Sequence, residues 1–176
     1  INAGELYDNM SEYGGAVASY GKLSINDGLI MNNSATGHGG GLYGNGTSCE
    51  ITITGGSIEG NTAARQGGGI YLTGSGSALT MTGGDVMANI AAAGGGVFVD
   101  NSGSVRFTNG VIRNNQAKYG SGSVTTGYQN KFVQGGGGGI YLQEDAVFEF
   151  GEAESVGLYG NVADKVGDDV FANGNG

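Results

Sequence analysis

His38 is the only histidine in the chain, and it is followed directly by Gly39. General base catalysis needs an imidazole oriented by a second group, and a histidine metal centre needs more than one imidazole. The sequence therefore holds no multi-histidine metal site and offers no partner for a nucleophilic triad. His38 reads as a turn residue. The best acidic pair is Asp168-Asp169. Glycoside hydrolysis needs two carboxylates facing one bond, yet adjacent residues on a strand point to opposite faces. This pair stands where earlier parts of the chain carry glycine, and charge at an open sheet end discourages edge pairing, so an end-capping role is expected. Asp100-Asn101-Ser102-Gly103 and Glu144-Asp145 supply oxygens that a calcium ion could use. Neither has the alternating ligands of a calcium loop, and both fall where a turn is expected, so no cofactor is expected. Cys49 has no second thiol and no neighbouring cation to activate it, which leaves it a structural role.

These residues are positioned by a repeat. The chain has 176 residues, the size of one domain, with 40 glycines, no proline and 38% apolar residues. The lack of proline excludes collagen, and the ordered apolar pattern excludes a flexible linker. An apolar residue stands three positions before an asparagine at Leu6/Asn9, Ile30/Asn33, Ile58/Asn61, Val86/Asn89, Ile112/Asn115 and Leu158/Asn161. Glycine clusters lead into Val17, Leu42, Ile70, Val97, Ile140 and Val170, and alternating pairs recur at Leu23/Ile25, Ile51/Ile53, Leu79/Met81, Val105/Phe107 and Phe148/Phe150. Each unit thus reads as three short strands and three turns, with no helical period.

One unit cannot bury its own apolar face, whereas stacked units can, each strand pairing with its copy ~4.8 Å along. The expected fold is all-β: a right-handed parallel β-helix, a solenoid with three short strands per coil and about six coils, forming a single domain over residues 1–176. The glycines suit corners where coils approach closely, and the asparagines suit left-handed backbone and a stacked amide ladder. Because the chain begins mid-pattern at Ile1, it is expected to be a segment of a longer protein.

Apolar-x-x-Asn coupled to Gly-Gly-x-[Ile/Leu/Val], closest at Gly14-Gly15-Ala16-Val17 and repeated at Gly39-Gly40-Gly41-Leu42, Gly67-Gly68-Gly69-Ile70 and Gly94-Gly95-Gly96-Val97, resembles the repeats of the chlamydial polymorphic outer membrane proteins and related bacterial surface proteins. The resemblance implies a β-helical passenger region at the cell surface or secreted, often adhesive. It implies no particular ligand, and the family's first motif begins with Phe where this chain has Ile, Val or Leu.

Two features exceed what a coil requires. An aromatic residue follows the glycine corner at Tyr43, Tyr71, Phe98, Tyr141 and Phe171. Period 2 places these outward, as a stacked stripe that either covers the strand surface or offers a platform to sugar rings or a protein. The second feature is an inserted loop over 119–134, where the spacing between post-glycine residues rises to 43 from neighbouring values of 27 and 30. It brings Tyr119, Tyr128, Lys131 and Phe132 together with Arg113 and Lys118. Residues 101–143 carry a charge of +4 inside a chain of net charge −9. That overall charge disfavours nucleic acid, and no apolar run approaches the ~20 residues that cross a bilayer. The sequence thus points to a non-enzymatic adhesin or binding module for glycans or for host or neighbour surface proteins. A carbohydrate-active β-helix enzyme, of lyase or hydrolase type, and a structural stalk are the alternatives.

Overall fold

Apolar runs of two or three alternating positions, broken by glycine and asparagine, are too short to pack within one coil and must pair with their own copies. A computed structural model describes residues 1–100, 102–120 and 134–172, with the side chains of all of these except 152–155. Three parallel sheets result. The first contains Glu5–Tyr7, Leu29–Met31, Ser57–Glu59, Ala78–Met87, Ser104–Arg113 and Val147–Tyr159, with Lys22–Ile25 and Glu50–Ile53 pairing alongside. The second stacks Met10–Tyr13, Ser34–His38, Thr62–Ala63, Ile90–Ala91, Gln116–Ala117 and Val162–Ala163. The third stacks Val17–Ser19, Leu42–Asn45, Ile70–Thr73, Val97–Val99, Ile140–Leu142 and Val170–Ala172. The chain is a solenoid of six rungs joined by five turns, close to the expected number of coils.

The three apolar signals do not map one to each sheet. The alternating pairs and the apolar-x-x-Asn residues both lie in the first sheet, where separate strands in early coils fuse into one of 10 residues from Ala78 onward. The second sheet is built from strands as short as 2 residues. The first strand has Ser11 two positions after its asparagine and each later strand has an alanine there, of which Ala35, Ala63 and Ala91 form their own small buried cluster. A lone alanine gives no period-2 signal, so this wall was not legible as a strand.

The main core is columns of branched side chains one coil apart. Ile30, Ile58, Val86 and Ile112 align in register, as do Ile70, Val97 and Ile140, and all are fully buried. Each contributes roughly 1.5–3 kcal/mol by leaving water. The columns loosen at the ends: Leu6 and Leu158 are only partly buried, and Phe150 is exposed.

Asn9, Asn33, Asn61, Asn89, Asn115 and Asn161 form a continuous column along the corner between the first and second sheets. In each interior member, Nδ2 donates to Oδ1 of the next asparagine and to a carbonyl oxygen one coil back. Asn61 Nδ2, for example, donates to Asn89 Oδ1 at 3.0 Å and to Ile30 O at 2.9 Å. The Oδ1 of each also accepts the backbone N–H of the asparagine before it, as Asn89 Oδ1 does from Asn61 N at 2.9 Å. Every hydrogen-bonding position of these buried amides is filled, and all of them point the same way.

The asparagines do not themselves take up the left-handed backbone conformation. The residue before each does: Asp8, Asn32, Gly60, Ala88, Asn114 and Gly160 have φ between 55 and 66°. Five of the six are aspartate, asparagine or glycine, which tolerate this conformation because the Cβ clash is reduced or absent. Ala88, at φ 55°, carries strain. Replacing Asn89 by Ala orphans groups on both neighbouring coils, and chemical denaturation should show a loss of about 3 kcal/mol or more. Ala88→Gly should instead gain about 1 kcal/mol, because it relieves the left-handed clash.

Candidate functional site

The corner joining the second and third sheets carries the densest chemistry. A triplet makes the turn: its first member has positive φ, as at Gly67 (φ 67°), and its second and third lie against the next coil. A β-carbon at Gly69 would come within 3.0 Å of Asn89 Nδ2, so a side chain there would displace the ladder. After this turn the strand of the third sheet begins, and its second residue points away from the core of the coil.

That outward column is aromatic. Tyr43, Tyr71, Phe98, Tyr141 and Phe171 are in register from coil to coil. Successive ring centroids lie 5.6, 5.4, 4.6 and 5.0 Å apart, the first three pairs stacked and the last edge-on. Each contact is worth about 0.5–1.5 kcal/mol beyond burial. The stripe forms as expected, but it is not an open platform. Tyr43 and Tyr71 are 9% and 7% exposed, and Phe98 and Tyr141 only 2% and 0%. Ala93 packs among the rings and they make a second, outer core. Period 2 tells which residues leave the coil's interior and says nothing about what the neighbouring corner lays against them.

That neighbouring corner supplies a second column. Tyr13 pairs with His38, and Gln66, Ala93, Gly136 and Val166 bridge one another in turn. Bulk on the two columns is complementary: small residues flank Phe98 and Tyr141, and Tyr13 and His38 flank the end where the aromatic column stops. It stops because Ala18 occupies the register position of Tyr43 in the first rung. Tyr13 and Tyr20 pack on the Tyr43 ring there, at 5.1 Å tilted and 6.5 Å edge-on, and remain 40% and 70% exposed. Two accessible tyrosines thus flank the open end of the aromatic column beside Ala18, and this open end is called the notch below.

Polar groups hold the notch in place. Asn45 Nδ2 donates to Tyr43 Oη at 3.0 Å. One coil on, the Tyr71 and Thr73 hydroxyls both donate to Asp100 Oδ2, at 3.0 and 3.1 Å. Asp100 therefore anchors the aromatic wall, which is a different task from the calcium ligation its sequence context could support. Burial pushes the Tyr71 hydroxyl pKa well up, reinforced by the Asp100 charge, and burial also raises that of Tyr43. His38 stacks on Tyr13 at 5.8 Å and tilts over Tyr71 at 4.5 Å. Its pKa falls to about 4, through burial first and the Arg65 charge second, against opposing contributions from Asp100, Glu12 and Gln66. Burial thus keeps the His38 imidazole beside the notch neutral at ordinary pH. Cys49 is buried elsewhere in the main core, its thiol directed at Gly21 O at 3.3 Å, and burial raises its pKa.

Of the residues singled out from the sequence, Tyr43, Tyr71, Phe98 and Tyr141 come together in this corner. Arg113 does not join them: it ends a strand of the first sheet and approaches Asp85 at 3.9 Å. Lys118 still lies on the coil, its N–H donating to Ala91 O at 2.8 Å; Tyr119 begins the inserted loop, and the chain is back on the coil at Gly135, whose N–H donates to Ala92 O at 2.6 Å. Tyr119 N–H donates to Asp164 Oδ2 at 2.9 Å, and Lys165 Nζ lies 4.5 Å from the Tyr119 ring centroid. Acidic neighbours thus meet part of the basic belt. Tyr128, Lys131 and Phe132 lie outside the described residues. Tyr13, Tyr20 and Asn45 were missed. Their signal is the Ala18 gap in an otherwise aromatic column, visible once the units are aligned.

The imidazole gives the corner a pH signature. Folding favours the neutral form of His38, so its contribution is complete above the ordinary pKa of 6.5 and is lost as pH falls toward about 4. Between pH 7.5 and 4.5 this group should cost about 2 kcal/mol of stability, discounted for its partial exposure. Denaturant unfolding at both pH values should show that drop in the native chain and a smaller one in His38→Gln.

A family model described as a right-handed β-helix region matches residues 7–152. Searches of curated proteins and of solved structures gave no significant match. The matched span runs from the first rung into the last strand of the first sheet, and the parallel sheets, the stacked corners and the asparagine column account for it coil by coil. The chain belongs to the right-handed β-helix family.

Proposed function

We propose that this chain is a non-enzymatic binding module of a bacterial surface or secreted protein, and that it engages a glycan through the tyrosine notch. The observation that carries this reading is the pair of accessible rings, Tyr13 and Tyr20, set on the buried Tyr43. A sugar ring has an apolar face that stacks on an aromatic ring and a rim of hydroxyls that need polar partners. The notch supplies the first through two rings held by a rigid column, so that little ordering cost falls on the protein when the ligand binds. The tyrosine hydroxyls supply the second. The resemblance of the repeats to those of polymorphic outer membrane proteins supports placement at a bacterial surface, and the net charge of −9 argues against nucleic acid as the partner.

A glycan array probed with the native chain should show selective binding, and Tyr13→Ala/Tyr20→Ala should weaken it by roughly tenfold or more. Equal binding by the native and double-variant proteins would remove the notch from the reading. Release of new reducing or unsaturated ends from a bound polysaccharide would replace it with a carbohydrate-active enzyme.

A further inference from the structure

Two hydroxyls of the outer aromatic column look alike in sequence and differ in what they meet. Tyr43 and Tyr71 stand in register on adjacent coils, their rings stacked at 5.6 Å and 4° from parallel. Tyr43 Oη accepts a hydrogen bond from Asn45 Nδ2 at 3.0 Å. A primary amide nitrogen only donates, so it offers the proton of that hydroxyl no place to go. Tyr71 Oη instead donates to Asp100 Oδ2 at 3.0 Å, and an ionised carboxylate only accepts. Thr73 Oγ1 donates to the same oxygen at 3.1 Å, which fixes the carboxylate against the ring. Asp100 comes from the coil beyond, where its N–H donates to Leu72 O at 2.8 Å.

Burial and the Asp100 charge hold the Tyr71 hydroxyl pKa well above its ordinary value, so phenolate does not form there at ordinary pH. An electron leaving this ring must therefore take the proton with it. A ring that lost the electron alone would be a buried, unpaired cation, which is costly. At Tyr71 the proton need travel only the length of an existing hydrogen bond. The surrounding rings set the direction. Tyr13 and Tyr20 pack on Tyr43 at 5.1 and 6.5 Å, and Tyr43 packs on Tyr71. On the far side Phe98 stacks on Tyr71 at 5.4 Å, and its ring has no hydroxyl proton to release. A hole that enters among these tyrosines thus comes to rest on Tyr71, which is buried.

We propose that Tyr71 and Asp100 form a one-electron redox site that collects oxidising equivalents from the neighbouring tyrosines. The co-reactant is a one-electron oxidant in solution, of the class of high-valent metal complexes and oxygen-centred radicals. The electron passes from the Tyr71 ring, by way of Tyr43, to that oxidant. The Oη–H bond of Tyr71 breaks and its proton bonds to Asp100 Oδ2. The products are a neutral tyrosyl radical, a neutral carboxylic acid and the reduced oxidant. This inference does not rest on the glycan reading, which asks nothing of the Tyr71 hydroxyl or of Asp100.

The test oxidises the full chain with a ruthenium(III) polypyridyl complex generated by a light flash, and follows the radical by electron paramagnetic resonance after rapid freezing. The native chain should give a neutral tyrosyl radical that outlives the one formed in Tyr71→Phe by roughly tenfold or more, because reductants in solvent reach a buried ring only through local opening. Asp100→Asn keeps the shape of the side chain and cannot take the proton, so its radical should be as short-lived as that of Tyr71→Phe. A native lifetime in either variant would overturn the proposal. Electron–nuclear double resonance on the native chain needs no variant to fold. The phenoxyl oxygen should carry a hydrogen-bonded proton, now held by Asp100. Absence of that proton would equally overturn the proposal.

Discussion

A primary amide buried in a protein must fill two donor and two acceptor positions, and in this chain it can do so only with help from the coils above and below. That requirement governs the architecture. An asparagine displaced by one residue from its column would leave unmet groups in its own coil and in both neighbours, at about 1–3 kcal/mol for each. The hydrophobic columns tolerate small shifts, because apolar contact has no direction. The amide column does not. It therefore sets the vertical register, and the branched side chains of the core follow it.

Glycine at the corner triplet is a consequence of the same register. Coils held one strand spacing apart leave no room for a β-carbon between one corner and the asparagine of the next. The first glycine of each triplet turns the backbone through positive φ, and the other two let the coils close. The column's direction then makes the two ends of the stack chemically unequal: one presents amide oxygen, the other amide hydrogen. Asp169 stands where interior triplets carry glycine, and its carboxylate accepts from Asn161 Nδ2.

The outer aromatic column shows how a structural necessity shades into a surface with specificity. Stacked rings stabilise the third sheet from outside the coil, and the columns on either side of the corner are matched in bulk. Where the column stops at Ala18, the last ring has no ring of its own column to cover it, and Tyr13 and Tyr20 approach from the sides. The same stacking that buries Phe98 and Tyr141 leaves two tyrosines accessible, held in place by a rigid neighbour. Rigidity here comes from the solenoid and not from the notch itself.

Much of this was legible in the residues alone. The spacing of asparagines, of post-glycine residues and of alternating pairs determined a parallel solenoid, because each pattern has meaning only if copies lie over one another. Asp168-Asp169 was legible as a break in the repeat for the same reason. The alanine wall was not, since two-residue strands carry too little periodicity. Nor was the burial of the aromatic stripe or the place of Arg113 apart from it. Periodicity reports which way a side chain leaves its own strand, a local property of the backbone. Whether that side chain then meets water, another corner or a carboxylate depends on residues distant in the chain, and only the packing of one sheet against the next decides it.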